Sequence, residues 1–97
     1  MGWEVVFSSR SAEDLRKIVE YISADDPAAA ERFGLVLIGQ AEMLVQSPFI
    51  GVLMPERPGA RLFPVGSYLI IYRPDPKRET VRILRFWHGA RGTKPLR

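Results

Sequence analysis

The stretch RLFPVGSYLIIYRPDPKRETVRILRFWHGAR, residues 61–91, decides the fold. Its apolar runs are rich in β-branched and aromatic residues, which favour strands. Gly66-Ser67 is a two-residue sequence of the kind that closes a hairpin with glycine first. A second turn is expected at residues 74–77, where Pro74 restricts φ and Asp75 can bond to its own backbone. The stretch therefore predicts three consecutive antiparallel strands.

Both faces of the predicted strands are partly apolar. Alternation places Tyr68, Ile70 and Tyr72 on one face, opposite Leu69, Ile71 and Arg73. On the last strand, alternation places four residues on each face. One face carries Val81, Ile83, Arg85 and Trp87, and the other carries Arg82, Leu84, Phe86 and His88. A sheet with one face in water alternates more sharply than this. We therefore expect one face to belong to the core and the other, with its arginines, to bind a partner.

The residues before this stretch supply one strand and two helices. Residues 3–7 read as a short strand, and Ser9 or Ser11 is expected to cap the first helix. Asp26 is expected to cap the second helix, which Pro27 opens and which runs to about Gln46. Apolar residues at spacings of three, four and seven mark the buried face of the first helix: Leu15, Ile18, Val19 and Ile22.

This order predicts a single α+β domain over residues 1–97, β-α-α-β-β-β, with a helical hairpin packed on one face of a small antiparallel sheet. We expect the first strand to pair at an edge or with the last strand. The apolar part of the loop at residues 49–59 is expected to cover the core. Gly34 and Gly39, inside the second helix, are expected to pack closely against the first helix, with a functional hinge as the alternative.

Composition excludes several classes of protein. The chain has no cysteine and one histidine, so we expect no disulfide, no metal site and no cofactor. It shows no secretory signal and no apolar run near the roughly 20 residues of a membrane span. A cytoplasmic protein without membrane contact is the expectation.

The charge is unevenly distributed along the chain. Residues 1–56 hold four cations against nine acids, a balance of −5, whereas residues 57–97 hold ten cations against two acids, a balance of +8. An asymmetry of this kind indicates that the basic half meets something acidic. Nucleic acid, an acidic protein segment and the other half of the chain all remain open.

His88 and its neighbouring arginines are the candidates for reaction chemistry. The usual nucleotide-binding glycine motifs and the zinc-protease motif are absent from the sequence. A histidine among cations can act as acid or base in phosphodiester cleavage, with arginines holding the phosphate. A strand-end histidine that bonds locally is the structural alternative, as are solvated or paired arginines.

Several segments together resemble the RelE/ParE superfamily of bacterial type II toxins, and the ParE branch most closely. Each segment alone is weak, but their order and spacing over almost the whole chain are specific. They are Asp14-Leu15 with Ile18 and Tyr21-Ile22, residues 26–30 with Arg32-Phe33, Ser47-Pro48, Gly51, Arg57-Pro58-Gly59, residues 61–68, Tyr72-Arg73, residues 83–85 and residues 88–91.

The resemblance implies a toxin held inactive by a cognate antitoxin in a toxin–antitoxin hetero-oligomer. ParE-like members are associated with poisoning DNA gyrase, and RelE-like members with cutting mRNA on the ribosome. DNA would then be met only indirectly, through antitoxin or gyrase. The residues expected to bind partners are Arg61, Arg73, Arg85, His88 and Arg91.

A non-catalytic gyrase inhibitor is favoured over the nuclease. RelE-like nucleases often use an aromatic residue or histidine at the extreme C-terminus, and residues 92–97 contain neither. Two alternatives remain: a ribosome-dependent mRNA endonuclease, and a basic nucleic-acid-binding module. If the chain is a nuclease, its catalytic residues are expected to be Arg61, Arg85, His88 and Arg91.

Overall fold

Two helices lie on one face of a five-stranded sheet in the computed structural model, which describes residues 2–89. The helices are α1 (Ser9–Ser23) and α2 (Pro27–Met43), and a 3₁₀ turn (Leu44–Gln46) extends α2. The strands are β1 (Glu4–Phe7), β2 (Val52–Leu53), β3 (Arg61–Val65), β4 (Tyr68–Asp75) and β5 (Thr80–His88). Their order in the sheet is β1-β5-β4-β3-β2.

The predicted α+β class and the three consecutive antiparallel strands are confirmed. Gly66 has a φ of 59°, which glycine adopts without the steric cost of a Cβ. The first strand lies at an edge and pairs with β5, as expected. That pairing is parallel, so the sheet is mixed rather than wholly antiparallel. The two-residue β2 is an additional strand on the opposite edge.

The two helix caps differ in how well the sequence predicted them. Asp26 caps α2 as expected, because its Oδ1 accepts from the Ala29 N–H at 3.1 Å. For α1 the prediction of Ser9 or Ser11 is wrong. Ser8 has the extended backbone of a cap residue, and its Oγ accepts from the Ser11 N–H at 3.1 Å. Three serines within four positions made the choice ambiguous in sequence.

A β-bulge changes which residues of β5 face the helices. Ile71 pairs with Arg85 but Tyr72 pairs with Ile83, which leaves Leu84 as an extra residue on β5. The simple alternation expected for β5 is therefore wrong across the bulge. Odd-numbered residues before it and even-numbered ones after it face the helices: Val81, Ile83, Phe86 and His88.

The sheet is apolar on both faces. The main core lies between the sheet and the helices, and it includes the fully buried Leu37, Ile70 and Tyr72. A smaller core lies on the far face of the sheet; its buried members are Met54, Ala60, Ile71 and Leu84. The expectation that the sheet is partly apolar on both sides is borne out by these two clusters.

The loop before β3 covers the core less than predicted. Met54 is buried in the far-face core, but Val52 and Leu53 are exposed.

The two glycines inside α2 differ in their packing. Close packing against α1 is confirmed for Gly34, where an added Cβ would lie 3.1 Å from Val19 Cγ2. It is wrong for Gly39, where an added Cβ would have no neighbour within 4 Å. Within residues 2–89, no helix has both the length and the apolar composition needed to cross a bilayer.

Candidate functional site: a groove beside the free edge of β5

A groove with a volume of about 480 Å³ runs between α1 and the second half of β5. It exists because β1 stops pairing with β5 at the Phe7–Ile83 pair, after which the chain turns into α1. The edge of β5 beyond Ile83 therefore faces a helix instead of a strand. Four lining residues come from α1 and four from the sheet: Asp14, Lys17, Ile18, Tyr21, Tyr68, Phe86, Trp87 and His88.

Asp14 satisfies the edge of β5 that β1 leaves open. Its Oδ2 accepts from the Phe86 N–H at 3.1 Å and from Arg85 Nε at 2.7 Å, and its Oδ1 accepts from Arg85 Nη2 at 3.0 Å. Ser8 continues this pattern, since its N–H donates to the Ile83 carbonyl and its Oγ donates to the Leu84 carbonyl. Groups of Ser8 and Asp14 thus replace the missing strand.

The Arg85 guanidinium is engaged in this structural pair. The side chains of Arg85 and Asp14 are only 12% and 14% exposed. The hydrogen bond to Asp14 raises the pKa of Arg85 above its ordinary value, against an opposing effect of burial. A bidentate, shielded guanidinium of this kind stays charged and holds its position. Arg85 therefore takes the structural alternative that the sequence left open, that of a paired arginine.

His88 lies at the end of β5, within the groove. Its ring packs edge-on against the ring of Tyr68, with 4.7 Å between the two ring centroids. The Tyr68 ring in turn packs against that of Phe33, with 5.2 Å between centroids. Asp14 lines the same groove, although no acid is near His88 in sequence. The groove thus combines aromatic surfaces, a histidine and the cation of Lys17. Tyr21 is 79% exposed at its rim, a position that suits contact with another protein.

Arg61 lies away from the groove and holds the loop before β2. Its Nη1 donates to the carbonyls of Phe49 and Gly51, at 2.9 and 2.8 Å. Its guanidinium also lies over the Phe49 ring, 5.2 Å from the centroid. These contacts fix the loop against β3, so the geometry of Arg61 is that of a structural residue.

Arg73 lies near Arg85 in a second, smaller pocket. Arg73 Nη2 donates to the Pro58 carbonyl at 3.1 Å, and both arginines line a cavity of about 330 Å³ at the start of α1. The predicted partner-binding residues therefore fall into three places: His88 in the groove, Arg73 and Arg85 at the smaller pocket, and Arg61 at the loop. Arg91 lies outside the described residues.

Sequence reasoning missed the α1 side of the groove. Asp14, Lys17 and Tyr21 are spaced by three and four positions, which places them on one helix face, but nothing in that spacing indicates that the face borders β5. Among residues 2–89, no group of three His, Cys, Asp or Glu side chains is arranged to hold a metal ion.

Comparison with known proteins identifies the family. The model of the ParE toxin family, from the type II toxin–antitoxin system parDE, matches residues 5–92. Toxin RelE1 of Caulobacter vibrioides is 26% identical over 89 residues, which cover 92% of this chain and 96% of that protein.

Solved structures share the fold. The structure of the chromosomal ParDE system of P. aeruginosa superposes with a TM-score of 0.77 at 21% identity, covering 89% of this chain and 95% of that one. The toxin–antitoxin complex RelBE2 of Mycobacterium tuberculosis gives a TM-score of 0.69 at 26% identity, covering 91% and 99%. With its fold and nearly its whole length matched, the chain belongs to the ParE toxin family, as the toxin of a type II toxin–antitoxin system.

Proposed function

We propose that this toxin acts by binding DNA gyrase, without catalysing a reaction of its own, and that a cognate antitoxin neutralises it in a cytoplasmic complex. The observation that carries the proposal is how the arginines are used. Arg61 donates to two loop carbonyls and Arg85 to Asp14, so these contacts of both guanidinium groups hold the fold together.

A histidine alone would not be enough to cleave RNA. It requires a base, an acid and cations that stabilise the developing charge, all within hydrogen-bond reach of one phosphate. Of the four residues expected to serve a nuclease, the three that lie in the described part of the chain occupy separate surroundings. This dispersal supports a role in contact rather than in chemistry for His88.

The groove supports the binding of a protein segment. It is bounded by exposed Tyr21 and by Trp87, and aromatic residues are typical anchors of protein interfaces. An antitoxin segment with apolar and acidic residues would complement this groove and the basic second half of the chain. Such binding would also cover His88, so the antitoxin would block a gyrase contact made through the same surface.

The second candidate function is a ribosome-dependent mRNA endonuclease. The observation that favours it is the similarity to proteins named RelE1 and RelBE2. His88 would then be the acid or base, and residues outside the described part of the chain would complete the site.

One induction experiment separates the two candidates. We expect expression of the toxin to produce gyrase-linked DNA breaks and the SOS response, and purified toxin to inhibit supercoiling by gyrase. Ribosome-bound mRNA should remain uncut. Co-expression of the small gene next to the toxin gene should restore growth.

A pair of variants tests the role of His88. His88→Ala should weaken gyrase inhibition, while Arg32→Ala, on the exposed face of α2, should leave it unchanged. Codon-positioned mRNA cleavage that disappears in His88→Ala, with supercoiling unaffected, would overturn the gyrase proposal in favour of the nuclease.

A further inference from the structure

Arginines make up five of the eight residues that line the smaller pocket, on the far face of the sheet. Its volume is about 330 Å³. Two serines and one leucine complete a lining that otherwise consists of Arg10, Arg57, Arg73, Arg82 and Arg85. No carboxylate belongs to this lining, and Asp14, just beyond it, pairs with Arg85. We call this cavity the arginine pocket.

The fold brings these like charges together against their mutual repulsion. Arg73 and Arg82 are direct partners across β4 and β5, an arrangement that is destabilising for like charges. Arg57 comes from the loop before β3, and Arg10 from the first turn of α1. The dipole of that helix end adds further positive potential.

Arg57, one of the residues that line this pocket, has an unused hydrogen-bond donor. Its Nη1 atom is fully buried and has no hydrogen-bond partner among the described residues. Burial first, and then the charges of Arg73, Arg10 and Arg85, lower the pKa of Arg57. A buried donor without an acceptor costs stability, so such atoms call for an explanation, and an absent ligand is one.

The chemistry of the lining selects the ligand. Planar guanidinium groups donate two parallel hydrogen bonds to phosphate or carboxylate oxygens. A single carboxylate would neutralise one charge and accept a few bonds, whereas a phosphate group offers more oxygens and more charge to a cluster of several arginines. A helix N-terminus beside the cluster is a common element of phosphate sites.

We propose that the arginine pocket binds a phosphate group, with Arg57, Arg73 and Arg82 as its main ligands. The site is distinct from the groove beside β5 and goes beyond the proposed function, because it needs neither gyrase nor antitoxin. Free inorganic phosphate and the backbone of a nucleic acid are two sources of the same group.

Thermal unfolding of the full-length chain tests the proposal. Ligands that bind only the folded protein raise its unfolding midpoint with concentration. We expect sodium phosphate to raise the midpoint relative to sodium chloride at equal ionic strength. Arg57→Gln and Arg82→Gln should each weaken the apparent affinity for phosphate by about tenfold or more, the usual cost of losing a charged hydrogen bond.

Arg78→Gln is the matched control, because Arg78 has the same charge on the turn before β5 but lies outside the pocket. It should respond to phosphate like the parent. In sodium chloride without phosphate, the Arg57→Gln variant should unfold at a temperature no lower than that of the parent, since the change removes a cation from a repulsive cluster. If it does unfold earlier, the exposed Arg82 still provides the test.

Two further titrations identify the source of the phosphate. If a short thymidine oligonucleotide competes with phosphate for the pocket, the proposal is supported with a nucleic-acid backbone as the source. If the oligonucleotide does not compete, the proposal is supported with free phosphate as the source. Equal midpoint shifts in the parent and all variants would overturn it, because phosphate also stabilises proteins non-specifically. Binding of a glutamate peptide through Arg57 without binding of phosphate would overturn it as well.

Discussion

Arg85 and Asp14, 71 positions apart in sequence, form a bidentate ion pair that joins the edge of β5 to α1. Asp14 also accepts from the Phe86 N–H, so one carboxylate satisfies both a guanidinium and a strand-edge peptide group. The Asp14 side chain therefore joins the two walls of the groove.

Asp14→Asn should destabilise the fold, because it removes the charge that Arg85 and Phe86 share. We expect a loss of about 1.5–3 kcal/mol, the range for hydrogen bonds to charged groups. Glu13→Gln, which breaks an exposed pair with Arg16, should have little effect. Urea unfolding of the two variants measures the difference, and equal midpoints would contradict the structural role of Asp14.

Ser8→Ala should cost more stability than Ser9→Ala. Ser8 Oγ both caps α1 and donates to the Leu84 carbonyl, so its loss is expected to cost about 1–2 kcal/mol. Ser9 is the first residue of α1 and is exposed, so its replacement should stay within about 0.5 kcal/mol. Thermal unfolding of both variants checks the assignment; the opposite ranking would restore Ser9 as the cap.

Gly51→Ala should destabilise the protein, because a Cβ there would lie 2.7 Å from both the Leu62 carbonyl oxygen and the Tyr72 hydroxyl. Overpacking of this kind costs about 1–3 kcal/mol. Gly39→Ala is the matched control, since its Cβ would meet nothing within 4 Å. In a helix interior that change should stabilise by up to about 1 kcal/mol. If the denaturant midpoints of both variants shifted in the same direction from that of the parent, this account would be refuted.

Stability should fall at alkaline pH in a way that depends on Tyr72. Burial raises the pKa of Tyr72 above its ordinary 10.0, although the Gly51 N–H bond and Arg61 oppose the shift. Because the folded state holds this proton more tightly than the unfolded chain, the contribution of Tyr72 is complete below pH 10.0 and is lost as the pH rises through the raised value.

Tyr72→Phe tests that dependence. It removes the acceptor of the Gly51 N–H bond, so it should cost about 1 kcal/mol at neutral pH. Its stability should then decline less than that of the parent between neutral pH and pH above 10.0. Urea unfolding at the two pH values supplies the comparison, and parallel declines would assign the alkaline loss to other groups.

Association with the antitoxin should depend strongly on salt. The second half of the chain carries the balance of +8 that was counted from the sequence, ten cations against two acids. Attraction between this half and an acidic antitoxin would accelerate encounter, by about tenfold or more at low salt. Rapid-mixing measurements should show the association rate falling with salt while dissociation changes little. A salt-independent association rate would rule out electrostatic steering.

The sequence by itself determined the two helices, four of the five strands within residues 2–89, and the family. Gly66-Ser67 and Asp26-Pro27 act over a few positions, so their consequences are local and readable. The ordered segments that resemble ParE toxins were equally visible, because a resemblance depends on residue order rather than on contacts.

Only the tertiary structure decided what the arginines do. The pairing of β1 with β5 leaves the end of β5 open to Asp14, and the bulge at Leu84 changes which face each later side chain occupies. Both follow from packing between segments that are distant in the chain, and period-two alternation cannot anticipate an inserted residue. For the same reason Arg61 and Arg85, alike in sequence as strand arginines, became a loop anchor and a partly buried ion-pair partner.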